Sequence, residues 1–281
     1  MLIGVLAALV ACLAYGTASV LQSYAARKSV PDSASGPTLR STIAAMLAPL
    51  FVLGMALDGL GFAGSLVSAR QIPLFLSQTI MSANLVVTAV LSTLVLGVRL
   101  RARDWAAIAV VLAALGVLGL TAGQLGTDDP GRAMHWGVLA VSVLILAGGA
   151  GLVRMLGARA AVAAGLLAGV LYGAMAVAAR VVDGLDPLNV PVLLSDPALW
   201  AIVVAGGGGF YLFAVALQVG SVNGVAAALV VGETVVPGIV GVVLLGDTAK
   251  SGCGPLVVLA FAVAVVGAVT ISVSGSAQGE R

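Results

Sequence analysis

Charge is scarce in this sequence. Of 281 residues, only 9% are Asp, Glu, Lys or Arg, while 61% are hydrophobic and the mean hydropathy is +1.18. Soluble domains carry roughly 25% charged residues, so the composition reads as a polytopic membrane protein joined by short aqueous loops. No stretch is polar enough for a soluble catalytic or nucleic-acid-binding domain, and a net charge of +2 offers nothing to a polyanion. Nucleic acid is therefore excluded as a partner. Catalytic signatures are missing as well. The single histidine, His135, is expected at a membrane edge, and there is no HExxH zinc motif, no Walker loop and no GxSxG elbow. The chain is read as a non-enzyme that needs no cofactor. Cysteine is nearly absent: Cys12 lies in the first apolar run and Cys253 in a late loop, a placement that supports neither a disulfide framework nor a thiolate metal site. Leu9-Val10-Ala11-Cys12 has the look of a lipoprotein cleavage box. No Lys or Arg precedes it, however, so the segment is expected to be a retained helix.

What the chain has in abundance is apolar runs of membrane-crossing length. Nine are expected: Leu2–Tyr24, Thr42–Val67, Ile72–Gly97, Trp105–Ala122, Trp136–Val153, Ala160–Val182, Ala198–Val219, Val222–Gly246 and Leu256–Val273. The fold class is all-α. With the N-terminus outside, the inner loops and tail hold Arg27, Lys28, Arg40, Arg99, Arg101, Arg103, Arg154, Arg159 and Arg281. The outer loops then hold only Arg70, Arg132, Arg180 and Lys250. This bias predicts a plasma-membrane protein with its N-terminus outside and its C-terminus cytoplasmic, which agrees with an odd number of spans.

The eighth run, VNGVAAALVVGETVVPGIVGVVLLG, organises the functional reading. Its one ionisable residue, Glu233, falls near its middle, one turn before Pro237. A carboxylate at that depth costs a few kcal/mol unless it is paired, protonated or facing water. Asn84 holds the matching position in the third run, offset by 149 residues, and Leu96-Gly97 matches Leu245-Gly246 at the same offset. Tyr15-Gly16 and Tyr172-Gly173 match between the first and sixth runs, and the second run maps onto the seventh. The fifth run has no counterpart and inverts the second half. The division is thus residues 1–123 as a first repeat, 124–134 as an acidic linker, and 135–281 as a second repeat with one extra helix. Inverted repeats mark secondary transporters, whose sites lie at the midplane between the repeats.

Around Glu233 and Asn84, the residues expected to bind substrate are Tyr15, Tyr172, Asp58, Gln78 and Gln22. The two tyrosines lie mid-run, where a phenol needs a partner. Gln22 is two turns from Tyr15, on a face it is able to share. Asp58 either lines the same cavity or pairs with Arg180. Gln78 and Ser82 follow helical spacing, but Asn84 falls off their stripe. Gly165, Gly169 and Gly173 form a small-residue stripe suited to helix packing. Four consecutive glycines, Gly206–Gly209, imply either a broken helix or a close backbone approach, and Pro73 and Pro237 are candidate flex points.

The segment PLFLSQTIMSANLVVTAVLSTLVLGVRLRARDW and its later counterpart GSVNGVAAALVVGETVVPGIVGVVLLGD resemble the two repeats of the drug/metabolite transporter superfamily (EamA-like). The layout is most similar to that superfamily's NIPA-type, magnesium-transporter-like branch. The resemblance implies an inverted-repeat carrier for small metabolites, drugs or divalent cations. The chain departs from the pattern in three places. Leu96-Gly97-Val98-Arg99 lacks the usual acid, Leu245-Gly246-Asp247-Thr248 lacks the base, and the proline expected beside Glu233 stands at Pro237. The expectation is therefore a secondary transporter of a small polar metabolite, drug or cation working by alternating access, with Glu233 as coupling acid or cation ligand. Two alternatives stay open: a flippase for a lipid or lipid-linked sugar, with Arg180 or Arg154 near a phosphate, and a non-transporting membrane subunit or assembly factor. Expected partners are a small-molecule, ion or lipid substrate and membrane lipids, with a second copy of the chain or another membrane protein left open.

Overall fold

A computed structural model of the protein describes residues 1–28, 48–95, 102–126, 131–156, 160–185, 187–219 and 222–279. Within them the chain is almost entirely helical and forms no strand. The helices are α1 (Leu2–Lys28), α2 (Pro49–Gln71), α3 (Leu74–Ser82), α4 (Asn84–Val95), α5 (Ala102–Thr121), α6 (Gly131–Leu156), α7 (Ala161–Val181), α8 (Val190–Ser195), α9 (Pro197–Val219), α10 (Val222–Leu244) and α11 (Gly254–Gly279). Six stretches are long and apolar enough to cross a membrane: Leu2–Gln22, Pro49–Gln71, Leu74–Val95, Gly131–Met155, Ala161–Val181 and Pro197–Ala216. Three shorter apolar helices cover Trp105–Thr121, Ala228–Leu244 and Gly254–Gly267. Large apolar side chains such as Leu6, Leu13, Val52, Leu144, Val203 and Val258 face outward. In water such a surface would drive aggregation; in a bilayer it is the expected lipid face of a multi-pass membrane protein.

Proline sets several helix starts. Pro49 and Pro197 each occupy the first helical position, where the missing N–H costs nothing. The second run thus becomes helical at Pro49, and the expected residues 42–47 lie outside the described part. So do the Leu96–Arg99 motif and the loop residues Arg40, Arg101 and Arg159 used in the orientation count.

Helices α1 and α2 pack together, as do α7 with α9 and α10, α6 with α9, and α5 with α11. Helix α3 crosses to α10, and all nine of its residues are buried, so it forms the axis of the bundle. Two loops pair where α5 and α10 end: Gly123 N–H donates to Thr248 O at 3.0 Å, Thr248 N–H to Gln124 O at 3.1 Å, and Lys250 N–H to Thr121 O at 2.9 Å. Gly123 and Gly126 lie directly against the backbone of residues 245–249, with no room for a Cβ. The acidic linker is therefore clamped at its start to the last turn region of α10.

Candidate functional site

The third apolar run does not fold as one unbroken helix. At Ala83 the N–H donates to Ile80 O at 3.1 Å, three residues back, and the helix restarts at Asn84. On an uninterrupted helix, about 100° per residue would place Asn84 about 200° from Ser82. The tightened turn changes that register, and Gln78, Ser82 and Asn84 all line one cavity. Short 3₁₀ stretches within helices often mark functional hinges.

That cavity measures about 310 Å³. Its wall comes from α1 (Tyr15, Ser19), α2 (Phe62, Ser65), α3 and α4 (Gln78, Ser82, Asn84), α7 (Tyr172, Met175) and α10 (Glu233). Residues from both halves of the chain contribute. Each tyrosine ring is held by a glycine on the neighbouring helix. A Cβ at Gly61 would stand 2.9 Å from the Tyr15 ring, and one at Gly209 would stand 3.0 Å from the Tyr172 ring. The residue after each tyrosine seats another helix: Gly16 lies under Val87 and accepts from Thr88 Oγ1 at 3.3 Å, and Gly173 lies under Pro237. Gly169 has the backbone at Leu229 O and Glu233 N against it, and Gly165 packs on Val225. The glycine stripe of α7 is thus a packing surface that draws α10 close and fixes Glu233 beside the cavity.

The Gly206–Gly209 run does not break α9. What comes close is mainly side chains rather than the expected backbone: Gly208 receives Leu146, Gly209 receives Tyr172, and Gly206 faces Met175, with one backbone atom, Ala168 O, 3.3 Å from a Cβ at Gly209.

The hydrogen-bond inventory separates this site from ordinary packing. Ser82 and Thr234 hydroxyls bond each other at 2.8 Å, and Ser65 Oγ donates to Phe62 O at 2.8 Å. By contrast, the Glu233 carboxyl and the Gln78, Asn84 and Tyr172 side chains have no hydrogen-bond partner among the described residues. Gln78 is only 7% exposed, while Glu233, Asn84 and Tyr172 are half-buried and face the cavity. Buried polar groups are nearly always satisfied, so the Gln78 amide is the group most in need of a polar ligand or water there. Glu233 is the only charged side chain among the described lining residues. Tyr15 and Tyr172 both lie within electrostatic reach of it.

The structure places the remaining sequence-derived candidates elsewhere. Asp58 does not pair with Arg180. Its Oδ2 accepts from Gln22 Nε2 at 2.6 Å, and neither residue lines the cavity. Gln22 does share the α2-facing side of α1 with Tyr15, since it packs at Gly54 as Tyr15 packs at Gly61. The lining residues Phe62, Ser65, Met81 and Met175 carried no distinctive signal in the sequence. Ser65 was findable one turn beyond Gly61, had the tyrosine–glycine contact been known.

A second polar cluster occupies one end of the bundle, where Arg180 is held on all sides. Its guanidinium donates to Ala69 O (2.8 Å), Ile72 O (3.1 Å) and Gly126 O (3.0 Å), and to Asp247 Oδ1 at 3.0 Å. Asp247, whose side chain is fully buried, also accepts from Leu74 N–H at 2.7 Å and Gly126 N–H at 2.9 Å. Gly246, at φ 71°, turns the chain so that this acid points inward. Gly241 leaves the space its carboxyl fills. Arg70 in turn donates to Val182 O at 2.7 Å and Ala179 O at 3.4 Å.

Beside this cluster lies a basin of about 580 Å³, lined by Arg70, Arg132, His135, Arg180, Asp183 and Asp196 among others. Asp196 caps α9 through Ala198 N–H (2.8 Å), accepts from Asp183 N–H (2.6 Å) and meets His135 Nδ1 at 2.7 Å. Burial alone would raise its pKa, but the two backbone donors and His135 outweigh it and hold the carboxyl below the usual range. His135, Asp183 and Asp196 bring ligand-type atoms within 4.8 Å of one another. Asp196 is already engaged by three donors and caps α9.

No protein-family model matches the chain, and no curated protein or solved structure matches it either.

Proposed function

We propose that the chain is a secondary transporter that carries a small polar or cationic organic solute by alternating access, on a nine-span inverted-repeat scaffold of the drug/metabolite transporter type. The observation that carries this reading is the lone carboxyl of Glu233, unpartnered among the described residues, in a cavity of mixed polar and apolar lining walled by both halves. Within the site, Glu233 attracts a cationic group or exchanges it for a proton, Gln78 and Asn84 orient the solute's polar atoms, and the Tyr15, Tyr172 and Phe62 rings supply faces for a desolvated cation.

The repeat reading is supported by parallel contacts. Gly16 meets Thr88 while Gly173 meets Pro237, and Thr88 and Pro237 stand at the same offset as Asn84 and Glu233. Six helices are long enough to cross a membrane, and the three shorter apolar helices would bring the crossings of this reading to nine. Nine crossings would put the two termini on opposite sides, with the N-terminus outside by the basic-residue bias.

A divalent ion is the weaker candidate for the cargo. It would call for several oxygen ligands, carboxylates among them, whereas Asp58 is bonded to Gln22 away from the cavity. The flippase reading would place Arg180 or Arg154 near a phosphate; the Arg180 guanidinium is spent on Asp247 and three carbonyls, which leaves that reading only the exposed Arg154, and Arg154 does not line the central cavity. A non-transporting subunit would pack Glu233 dry, with no cavity beside it.

The test is uptake into proteoliposomes holding the full chain, driven by an imposed pH gradient and screened over monocationic amines and neutral polar solutes. Uptake by the parent chain and its loss in Glu233→Gln is the expected result. Undiminished uptake in that variant would remove the acid from the mechanism.

A further inference from the structure

We infer that the reciprocal Arg70–Arg180 clamp is a gate, and that the structure is the state in which the central cavity is shut off from the Arg-lined basin. This inference rests on the carrier reading, but its test does not depend on a transported solute being known.

Three observations carry it. The first is reciprocity. Arg70 is the penultimate residue of α2 and Arg180 the penultimate residue of α7. Each donates to the C-terminal carbonyls of the other's helix: Arg70 to Ala179 and Val182, Arg180 to Ala69 and Ile72. The two helix ends, one from each half of the chain, are thus tied crosswise. Cations at helix C-termini also meet the negative end of the helix dipole.

The second observation is position. The two cavities share no lining residue. On α7, Ala176 and Ala179 line the central cavity and Arg180, Val181 and Val182 line the basin. On α2, Ser65 faces the former and Arg70 the latter. Between Ser65 and Arg70 along α2, the buried Ser68 hydroxyl bonds Ser77 at 2.8 Å and Ala69 is buried, and none of the three lines either cavity.

The third is the latch. Asp247 ties Arg180 to the first turn of α3 through Leu74 N–H, and α3 leads straight to the break at Ala83 and the cavity residue Asn84. Tilting α3, or parting α2 from α7, requires these bonds to exchange. All of them are polar groups that water in the basin is able to solvate once the helices part. The closed and open arrangements are thus both satisfiable, as a two-state element requires.

The experiment is side-specific cysteine labelling of the full chain in membrane vesicles, in a Cys12→Ala, Cys253→Ala background. Asp183→Cys, exposed in the basin, identifies the vesicle sidedness that presents this face. Ala176→Cys then reports access to the central cavity from that face, using a membrane-impermeant methanethiosulfonate. Slow labelling in the parent is expected. Arg180→Ala and Asp247→Asn should raise the rate about tenfold or more, the shift that follows from losing roughly 1.4 kcal/mol of closing interactions. Because Arg180→Ala leaves Asp247 buried and unpaired, Arg70→Gln is run in parallel: it removes one crosswise cap and keeps the ion pair. It should accelerate labelling by a smaller factor. Unchanged labelling in folded Arg70→Gln and Asp247→Asn protein, or parent labelling already as fast as Asp183→Cys, would overturn the gate. Neither result would touch the carrier reading, which stands or falls on uptake.

Discussion

Two buried polar regions lie within a few helical turns of each other, and they are built on opposite principles. Around Arg180 and Asp247 the donors and acceptors meet one another: the acid holds two backbone N–H groups and a guanidinium, and the guanidinium holds three carbonyls besides. Around Glu233 the protein leaves a carboxyl, two amides and a phenol unspent. Burial of polar groups is costly in both places. In the first the cost is offset inside the fold, so the region needs no ligand. In the second no protein group among the described residues offsets it, which is the feature the proposed transport site rests on.

The sharpest test of that contrast is Asp247→Ala. It leaves the Arg180 charge buried without its partner and should destabilise the protein by about 3–5 kcal/mol, read as a fall in the thermal unfolding midpoint in detergent. Glu233→Gln should do the reverse of this. It replaces a half-buried carboxyl that no protein neighbour bonds, so stability should stay within about 1 kcal/mol of the parent or rise. If Glu233→Gln unfolds the protein as readily as Asp247→Ala, the distinction between the regions is lost.

The basin supplies an intermediate case. Asp196→Ala removes an N-cap and should cost about 1–2 kcal/mol at neutral pH. Because the folded-state pKa of Asp196 is depressed, its contribution is complete above the unfolded value of about 3.9 and is lost as pH falls through the lower folded value. The gap between parent and Asp196→Ala, followed by unfolding midpoints across pH, should narrow as pH falls below about 4. A gap that keeps its full size at pH values below the folded Asp196 pKa would refute the cap. The smallest effect should come from Thr234→Ala. It breaks the bond to Ser82, and interhelical bonds of this kind average about 0.6 kcal/mol. A loss of several kcal/mol there would show that the cavity wall is held by the same kind of network as the arginine clamp.

Much of this was legible in the chain. Long apolar runs with few charges are enough for an all-helical membrane protein, because backbone groups in hydrocarbon must be satisfied within the segment. Glu233 announced itself as a carboxyl with no business in lipid. The tyrosines announced themselves by their depth, and Gly165, Gly169 and Gly173 by their spacing. Gln78, Ser82 and Asn84 were visible as polar residues in an apolar run, but not as neighbours, since an ideal helix separates them.

What the linear pattern settled, then, is which residues are out of place in a bilayer. What only the assembled bundle decided is how each of them is reconciled with it. Asp58 went to Gln22 and Arg180 to Asp247, the helix broke at Ala83 where no proline or glycine stands, and it ran unbroken through four glycines. The physical reason is range. Transfer of a side chain into hydrocarbon is a property of that residue alone, whereas pairing and helix continuity depend on atoms that are tens to hundreds of residues away in sequence and meet only when the helices pack.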